Sequence, residues 1–158
     1  MRVGLGYDAH PFVEGRDLFL GGVPIAHEKG LKGHSDADVL LHAICDALLG
    51  ASGEGDMGRF FPDTDPAFKN KRSEFFLEEV HKIIRQKKLE VSYIDCIVIC
   101  ERPKLGPFFD EIRKKIAQIL SLPQEMINIK AKTTEGMGFT GRKEGIAAYA
   151  ITSLKELP

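Results

Sequence analysis

Apolar positions along the chain fall into separate stretches whose spacing predicts strands near both ends and helices between them. The predicted strands are Arg2–Asp8, Leu18–Leu20, Val23–Ile25, Val91–Cys100, Met126–Ala131 and Gly145–Ser153. Val91–Cys100 is dense in β-branched residues and predicts a buried strand. Gly145–Ser153 is ambiguous, because its alanines would also allow a helix.

Three helices are predicted from apolar residues at helical spacing. The first follows a capping-box-like pattern with Ser35 as N-cap and Asp38 at the third helical position, and it ends near Gly50. Ser73 is predicted to cap the second helix, and the third runs from Pro107 to Pro123. The order β, α, α, β, α, β, β predicts one α+β domain over residues 1–158. We expect a four-stranded mixed sheet in a ferredoxin-like arrangement, with helices on one face and a neighbouring subunit on the other.

Composition narrows the class of protein. Lysine plus arginine is 22 and aspartate plus glutamate is 23, so the chain has no basic field for nucleic acid and no polybasic membrane patch. No apolar run approaches the ~18 residues of a membrane span. The three cysteines do not suit a disulfide framework and are expected to be free and buried in a reducing compartment. We therefore expect a cytoplasmic protein.

Glycine is unevenly distributed along the chain. Eleven of the 16 glycines lie in the first 58 residues, and four more lie between Gly136 and Gly145. Glycine is typical of places where the backbone turns tightly or approaches another group closely. The two ends are therefore expected to hold the unusual backbone, and the middle to be scaffold.

A candidate metal site combines one aspartate and two histidines. Asp8 and His10 end the first strand, and residues two apart on a strand point to the same side. His42 lies in an otherwise apolar helix, where a histidine needs a polar partner. Such a set could hold zinc and leave a fourth position open for substrate. The alternative is that these are ordinary polar residues.

Three other segments could bind anions or cations. Gly33–Asp36 leads into a helix N-terminus, which is either an anion site or a plain capping box. Gly53–Asp65 contains three aspartates and could bind a cation or sugar-like hydroxyls, or be a solvated loop. Lys130–Glu135 could bind phosphates and a magnesium ion, or be a polar strand end.

Taken together, these segments resemble a known family. The matching stretches are Gly4–His10, His34–Val39 with His42, Gly55–Gly58, Phe61–Pro66 and Lys130–Gly145. They resemble the 2-C-methyl-D-erythritol 2,4-cyclodiphosphate synthase family of the non-mevalonate isoprenoid pathway. The resemblance covers the chain from end to end without a large insertion.

The resemblance implies a phosphorus–oxygen lyase that releases CMP. Its substrate would be 4-diphosphocytidyl-2-C-methyl-D-erythritol 2-phosphate, and its product the 2,4-cyclodiphosphate. It implies a homotrimer with active sites between adjacent subunits, each with one zinc on Asp8, His10 and His42. Glu135 would hold a second divalent metal, magnesium or manganese. An axial cavity lined by Phe139, Arg142 and Glu144 would take an isoprenoid diphosphate.

The resemblance also implies how the substrate is held. His34 and Ser35 would contact the diphosphate, and Thr133 a phosphate, with His34 and Thr133 also stabilising the transition state. Asp56 would bind the methylerythritol hydroxyls. The other implied substrate-binding residues are Gly58, Phe61 and Asp63, and, around the cytidine, Cys100, Pro103, Lys104, Leu105, Gly106, Ala131 and Lys132.

The implied reaction needs no protein nucleophile. The attacking group is a phosphate with a second pKa near ~6, which is already anionic at neutral pH.

Two other functions remain open. One is a metal-dependent phosphohydrolase that acts on nucleotide diphosphates with the same metal ligands. The other is a non-catalytic trimeric module that binds nucleotides or isoprenoid phosphates.

Overall fold

Strands from both ends of the chain form the main sheet of the computed structural model, which describes residues 1–157. The strands are β1 (Arg2–Val13), β2 (Leu18–Leu20), β3 (Val23–Ile25), β4 (Gly30–Leu31), β5 (Leu89–Ile99), β6 (Ile127–Lys132) and β7 (Gly145–Glu156). The main sheet has the order β4-β1-β7-β5-β6, and β2 and β3 form a separate two-stranded ribbon. Only the β5–β6 pair of the main sheet is parallel, so the sheet is mixed.

The α+β class and the mixed sheet are confirmed, but two details of the prediction are wrong. The sheet has five strands instead of four, because β1 continues past Asp8 and its residues Phe12 and Val13 pair with β4. The main strands and long helices follow the order strand, helix, helix, strand, helix, strand, strand. A ferredoxin-like unit reads β-α-β-β-α-β, with two strands between its helices. The ferredoxin-like arrangement is therefore not adopted.

The helices are α1 (Val39–Ser52), α2 (Met57–Phe60), α3 (Ser73–Gln86), α4 (Phe109–Leu120) and α5 (Gly138–Gly141). Helix α1 is the centre of the core, and from Val39 to Leu49 only His42 and Asp46 are not buried. Its N-cap is Asp38 and not Ser35, and it continues through Gly50 to Ser52. Asp38 is preferred because its carboxylate accepts from Leu41 N–H and also from two backbone N–H groups of the β2–β3 turn.

Helix α1 packs directly against the backbone of β1. Gly4 and Gly6 face the helix, and a Cβ atom on either would lie 1.9 Å from a carbonyl oxygen of α1. No side chain can therefore separate the two elements at these positions. This close contact fixes His42, on α1, relative to Asp8 and His10, which continue the same face of β1.

The opposite face of the sheet is apolar and exposed. Val3, Leu5 and Tyr7 on β1 are 59%, 65% and 47% exposed, and Tyr149 and Ile151 on β7 are similarly open. The Tyr7 and Tyr149 rings contact each other, with their centroids 4.7 Å apart. Large contiguous apolar patches of this kind are typical of interaction surfaces.

The cysteines and the character of the helices bear on two other expectations. The three cysteines are free and buried, as predicted. Within residues 1–157, none of the helices has both the length and the apolar character needed to cross a bilayer.

Candidate active site

Asp8, His10 and His42 come together as the sequence predicts. Asp8 Oδ2 lies 2.8 Å from His10 Nε2 and 3.0 Å from His42 Nδ1, and the two ring nitrogens are 3.3 Å apart. Tetrahedral zinc with ligands at ~2.0–2.1 Å places those ligands about 3.3 Å from one another. The three side chains therefore fit a zinc ion with small adjustments. They are the only such cluster among the described residues.

The two imidazoles are each oriented by the nitrogen that points away from this cluster. His10 Nδ1 lies 2.9 Å from the Lys32 carbonyl oxygen, which can only accept, so Nδ1 carries a proton and Nε2 is the nitrogen that a metal would bind in place of a proton. His42 Nε2 lies 2.9 Å from Ser73 Oγ and 3.3 Å from Ser35 Oγ. Its Nδ1 is the nitrogen that faces Asp8.

Charge in the cluster is set by Asp8. Burial raises the pKa of Asp8, but hydrogen bonds from His10 and His42 outweigh burial and lower this pKa to about 2. Burial lowers the pKa of His10, and the hydrogen bond and negative charge of Asp8 reverse this and leave it raised. Asp8 is therefore ionised at neutral pH. A metal must displace any proton on His10, so metal binding is favoured as pH rises.

A cavity of about 330 Å³ opens beside the three side chains. The sequence-predicted residues that line it are Asp8, His10, His34, Ser35, His42, Phe61 and Asp63. His34 is held by a 3.0 Å hydrogen bond between its Nε2 and the Asp65 carbonyl oxygen. The predicted residues Asp56 and Gly58 do not line the cavity. Asp56 caps α2 by accepting from Arg59 N–H, and Gly58 lies within that helix.

Five further residues line this cavity and were not among the predicted metal-binding or substrate-binding residues: Gly33, Asp46, Met57, Phe68 and Phe76. Asp46 is the most polar of them. It accepts from Met57 N–H at 2.8 Å, and burial raises its pKa. The signal was present in the sequence, because Asp46 lies one helical turn after His42 and shares its face.

A second cavity, of about 420 Å³, lies where the parallel strands β5 and β6 end. Its lining contains Cys100, Pro103, Lys104, Leu105, Gly106, Ala131, Lys132 and Thr133, all of which the family resemblance implies as substrate-binding residues. Glu101, Arg102 and Lys143 also line it and were not predicted. Four of these side chains are cationic and one is a carboxylate, so the cavity suits an anionic ligand. It shares no lining residue with the first cavity.

Glu135 follows β6 in a loop that another carboxylate holds. Glu135 itself has a left-handed backbone (φ 53°) and accepts from Thr133 Oγ at 2.6 Å. Glu101 Oε1 accepts from Thr134 N–H at 3.0 Å and from Gly136 N–H at 3.4 Å. The structure does not bring Glu135 into the cluster formed by Asp8, His10 and His42.

Three residues were predicted for an axial cavity, and one of them, Phe139, lies beside the exposed sheet face. Phe139 lines two smaller cavities, one of them with Tyr7 and Tyr149. Arg142 forms an ion pair with Glu144 at 2.7 Å.

Comparison with known proteins gives full-length matches. The model of the YgbB family matches residues 1–155. The 2-C-methyl-D-erythritol 2,4-cyclodiphosphate synthase of Caldicellulosiruptor bescii is 54% identical over 98% of this chain and 99% of its own length. The protein of that name from Alkaliphilus metalliredigens is 55% identical over 98% of this chain and 97% of its own.

Solved structures agree with these matches. The bifunctional IspDF of Campylobacter jejuni has a TM-score of 0.95 and 45% identity over 99% of this chain, which spans 42% of that longer protein. IspF of Plasmodium falciparum, solved as a CDP complex, has a TM-score of 0.87 and 33% identity over 99% of this chain and 97% of its own. The chain belongs to the YgbB family.

Proposed function

We propose that this chain converts 4-diphosphocytidyl-2-C-methyl-D-erythritol 2-phosphate to 2-C-methyl-D-erythritol 2,4-cyclodiphosphate and CMP. The observation that carries the proposal is the cluster of Asp8, His10 and His42 at zinc-ligand separations beside a cavity. It occurs in a chain whose relatives bear the name of this synthase.

The reaction is an internal displacement at phosphorus. An oxygen of the 2-phosphate forms a bond to the β-phosphorus, and the bond from that phosphorus to the CMP oxygen breaks. The attacking phosphate is already anionic, so the protein has to orient two phosphoryl groups in line and neutralise their charge.

Asp8, His10 and His42 are the proposed ligands of one zinc per site, and Glu135 of a magnesium or manganese ion. When bound, these cations supply Lewis-acid charge to the phosphate oxygens and to the departing phosphate. His34 and Ser35, in the first cavity, orient the diphosphate. Thr133, at the edge of the second cavity, donates its hydroxyl hydrogen to a phosphate oxygen. This hydrogen bond would replace the one that the Thr133 hydroxyl donates to Glu135.

The second cavity is the proposed site for cytidine, formed by the residues between Cys100 and Gly106 together with Ala131 and Lys132. Its cationic lining and its position at the ends of two parallel strands support this role. The CDP complex of a structural relative also supports it. Asp56 and Gly58 remain the proposed contacts of the methylerythritol, since both adjoin Met57, which lines the first cavity.

A homotrimer with active sites between adjacent subunits is part of the proposal. The exposed apolar face of β1 and β7 supports assembly, and the two cavities have no lining residue in common within one chain. Phe139, Arg142 and Glu144 would then border an axial cavity that takes an isoprenoid diphosphate. Leu5→Asp places a charge on this face. Light scattering should then show the mass of one 17.5 kDa chain for the variant and of three chains for the parent protein.

The proposed activity is tested by incubating the purified protein with zinc, magnesium and the diphosphocytidyl substrate. CMP and the cyclic diphosphate should appear together. His42→Ala should abolish their formation, whereas His81→Ala, which alters a histidine bonded to Ile119 outside both cavities, should not. Folded, metal-loaded trimer that releases no CMP would refute the proposal.

The two alternative functions give other products in the same assay. A phosphohydrolase would incorporate ¹⁸O from labelled water into an open-chain phosphate, whereas internal cyclisation incorporates none. A binding module would retain nucleotide in equimolar amounts without turnover.

A cytoplasmic location is supported by the three free cysteines, which persist in reducing compartments.

A further inference from the structure

A chain of hydrogen bonds lies behind His42, on the side away from the proposed metal. Ser73 is the first residue of α3, and its side chain is completely buried. The sequence pattern predicts Ser73 as the cap of this helix, but Arg72 is the N-cap and Ser73 makes no capping bond. Its Oγ lies 2.9 Å from His42 Nε2 and also bonds to a carboxylate oxygen of Asp36.

The direction of these bonds follows from Asp36. The Asp36 carboxylate accepts from Ser73 N–H at 3.0 Å, from Asp38 N–H at 3.1 Å and from the Arg72 guanidinium at 3.2 Å. Because its oxygens act as acceptors throughout, the Ser73 hydroxyl donates to Asp36. The lone pairs of Ser73 Oγ are then left to accept from His42 Nε2–H.

We propose that Ser73 and Asp36 are positioning residues for the metal site. The chain from Asp36 through Ser73 to His42 holds a proton on Nε2 and fixes the ring plane. Nδ1 is then the nitrogen that would give up its proton to a metal, and it faces Asp8 and His10. The chain of hydrogen bonds also makes Nδ1 a stronger ligand, because a partner that accepts the Nε2 proton draws positive charge away from the ring. The inference rests on the proposed metal role of Asp8, His10 and His42.

The same atoms have the connectivity of a serine–histidine–aspartate set, since Ser73 contacts His42 and His42 contacts Asp8. A nucleophilic serine has to give its proton to the histidine and face the substrate. Ser73 does neither, because its proton is donated to Asp36 and its side chain has no exposed surface. The set therefore orients a ligand and does not form a covalent intermediate.

Ser35 is the only other hydroxyl within reach of His42 Nε2 in the part of the chain that the structure describes. Its Oγ is 3.3 Å away, accepts from Ala37 N–H and belongs to a residue that lines the cavity. Ser35 is thus a weaker partner than Ser73. Loss of the Ser73 hydroxyl leaves His42 with only this longer contact.

The test compares two buried serines in the metal-free protein. Ser73→Ala removes the hydroxyl that contacts His42, and Ser52→Ala removes an equally buried hydroxyl that bonds to Leu49 in α1. Zinc affinity is measured by competition with a chromophoric chelator. Ser73→Ala should weaken it by about 10- to 100-fold, the usual effect of losing an outer hydrogen-bond partner. Ser52→Ala should leave it unchanged, and Ser73→Thr, which keeps a hydroxyl, should restore most of it.

Ring-¹⁵N spectra of the zinc-loaded protein give a second readout that packing alone would not change. A slowly exchanging Nε2 proton of His42 is expected in the parent and in Ser73→Thr, and fast exchange in Ser73→Ala. Unchanged zinc affinity in Ser73→Ala would overturn the inference while leaving the proposed function intact. A loss that Ser73→Thr does not restore would also overturn it. A parent protein that takes up no zinc would refute the metal site itself.

Discussion

Replacing Gly6 by alanine tests whether the contact between α1 and β1 sets the metal site. The new Cβ would lie 1.9 Å from Ala43 O and 2.7 Å from Ala47 N, where real Cβ contacts are essentially never under 3.0 Å. The obstructing atoms are helix backbone and cannot rotate away, so α1 has to move by about 1 Å or the strand has to bend. His42 directly precedes Ala43, and Asp8 lies two residues beyond Gly6 on the same face.

The size of the effect follows from this displacement. Overpacking costs about 1–3 kcal/mol of unfolding free energy where neighbours can adjust, and a rigid backbone places this substitution at the upper end. Zinc sites keep ligand distances within about 0.2 Å, so a shift near 1 Å should also weaken zinc binding. Gly4→Ala meets Ala47 O at the same 1.9 Å but lies farther from the ligands. It should destabilise the fold similarly and affect zinc less.

Urea denaturation of the metal-free protein and chelator competition for zinc measure the two effects separately. Gly50→Ala is the matched control, because it lies on the same helix and its Cβ would meet nothing within 4 Å. It should stabilise the protein by about 0.5–1 kcal/mol, since glycine costs that much inside a helix. If Gly6→Ala were as stable as the parent and bound zinc as tightly, the contact could not be setting the site.

Two further predictions concern carboxylates. The pKa of Asp8 is lowered to about 2 from 3.8, so its contribution to stability is present above pH 3.8 and is lost as pH falls towards 2. In urea titrations, Asp8 should therefore cost the metal-free parent about 2 kcal/mol of unfolding free energy between pH 5 and pH 2. Metal-free Asp8→Asn should not show this part of the loss. Glu101→Ala should loosen the loop that carries Glu135, because Thr134 N–H and Gly136 N–H lose their acceptor. The magnesium concentration for half-maximal CMP release should rise several-fold while zinc affinity stays constant, and an unchanged magnesium dependence would contradict this role.

Local pattern indicated the metal cluster but left ordinary polar residues as an alternative, and the family resemblance favoured the metal. The spacing of Asp8 and His10 fixes their common direction on a strand, and a histidine within an apolar helix requires a partner. Long-range contacts determine the helix caps, and local pattern did not predict these correctly. Ser35 and Asp38 both satisfy a capping signal, and Asp38 is selected by two N–H groups of a distant turn. Ser73 has a capping signal too, but its hydroxyl is used by His42.

The sheet and the second cavity illustrate the same limit. Strand β4 has two residues and no periodicity to detect, so the fifth strand was not predictable. The second cavity joins the loop after β5 to the end of β6, and these meet because the two strands pair in parallel. Residue spacing does not reveal that pairing, and the family resemblance was needed to identify the lining.

Strand β1 presents different requirements on its two faces, and this constrains how its sequence can diverge. Alternate residues are either small groups and metal ligands under α1 or apolar groups on the open face. A substitution alters one face of the strand and leaves the other unchanged. Inserting or deleting one residue instead turns every side chain on one side of the change to the opposite face. In a library of single-codon changes between Val3 and Tyr7, exchanges of one apolar residue for another at Val3, Leu5 and Tyr7 should survive selection for activity. Length variants should be eliminated, so this segment can change its composition over time but not its length.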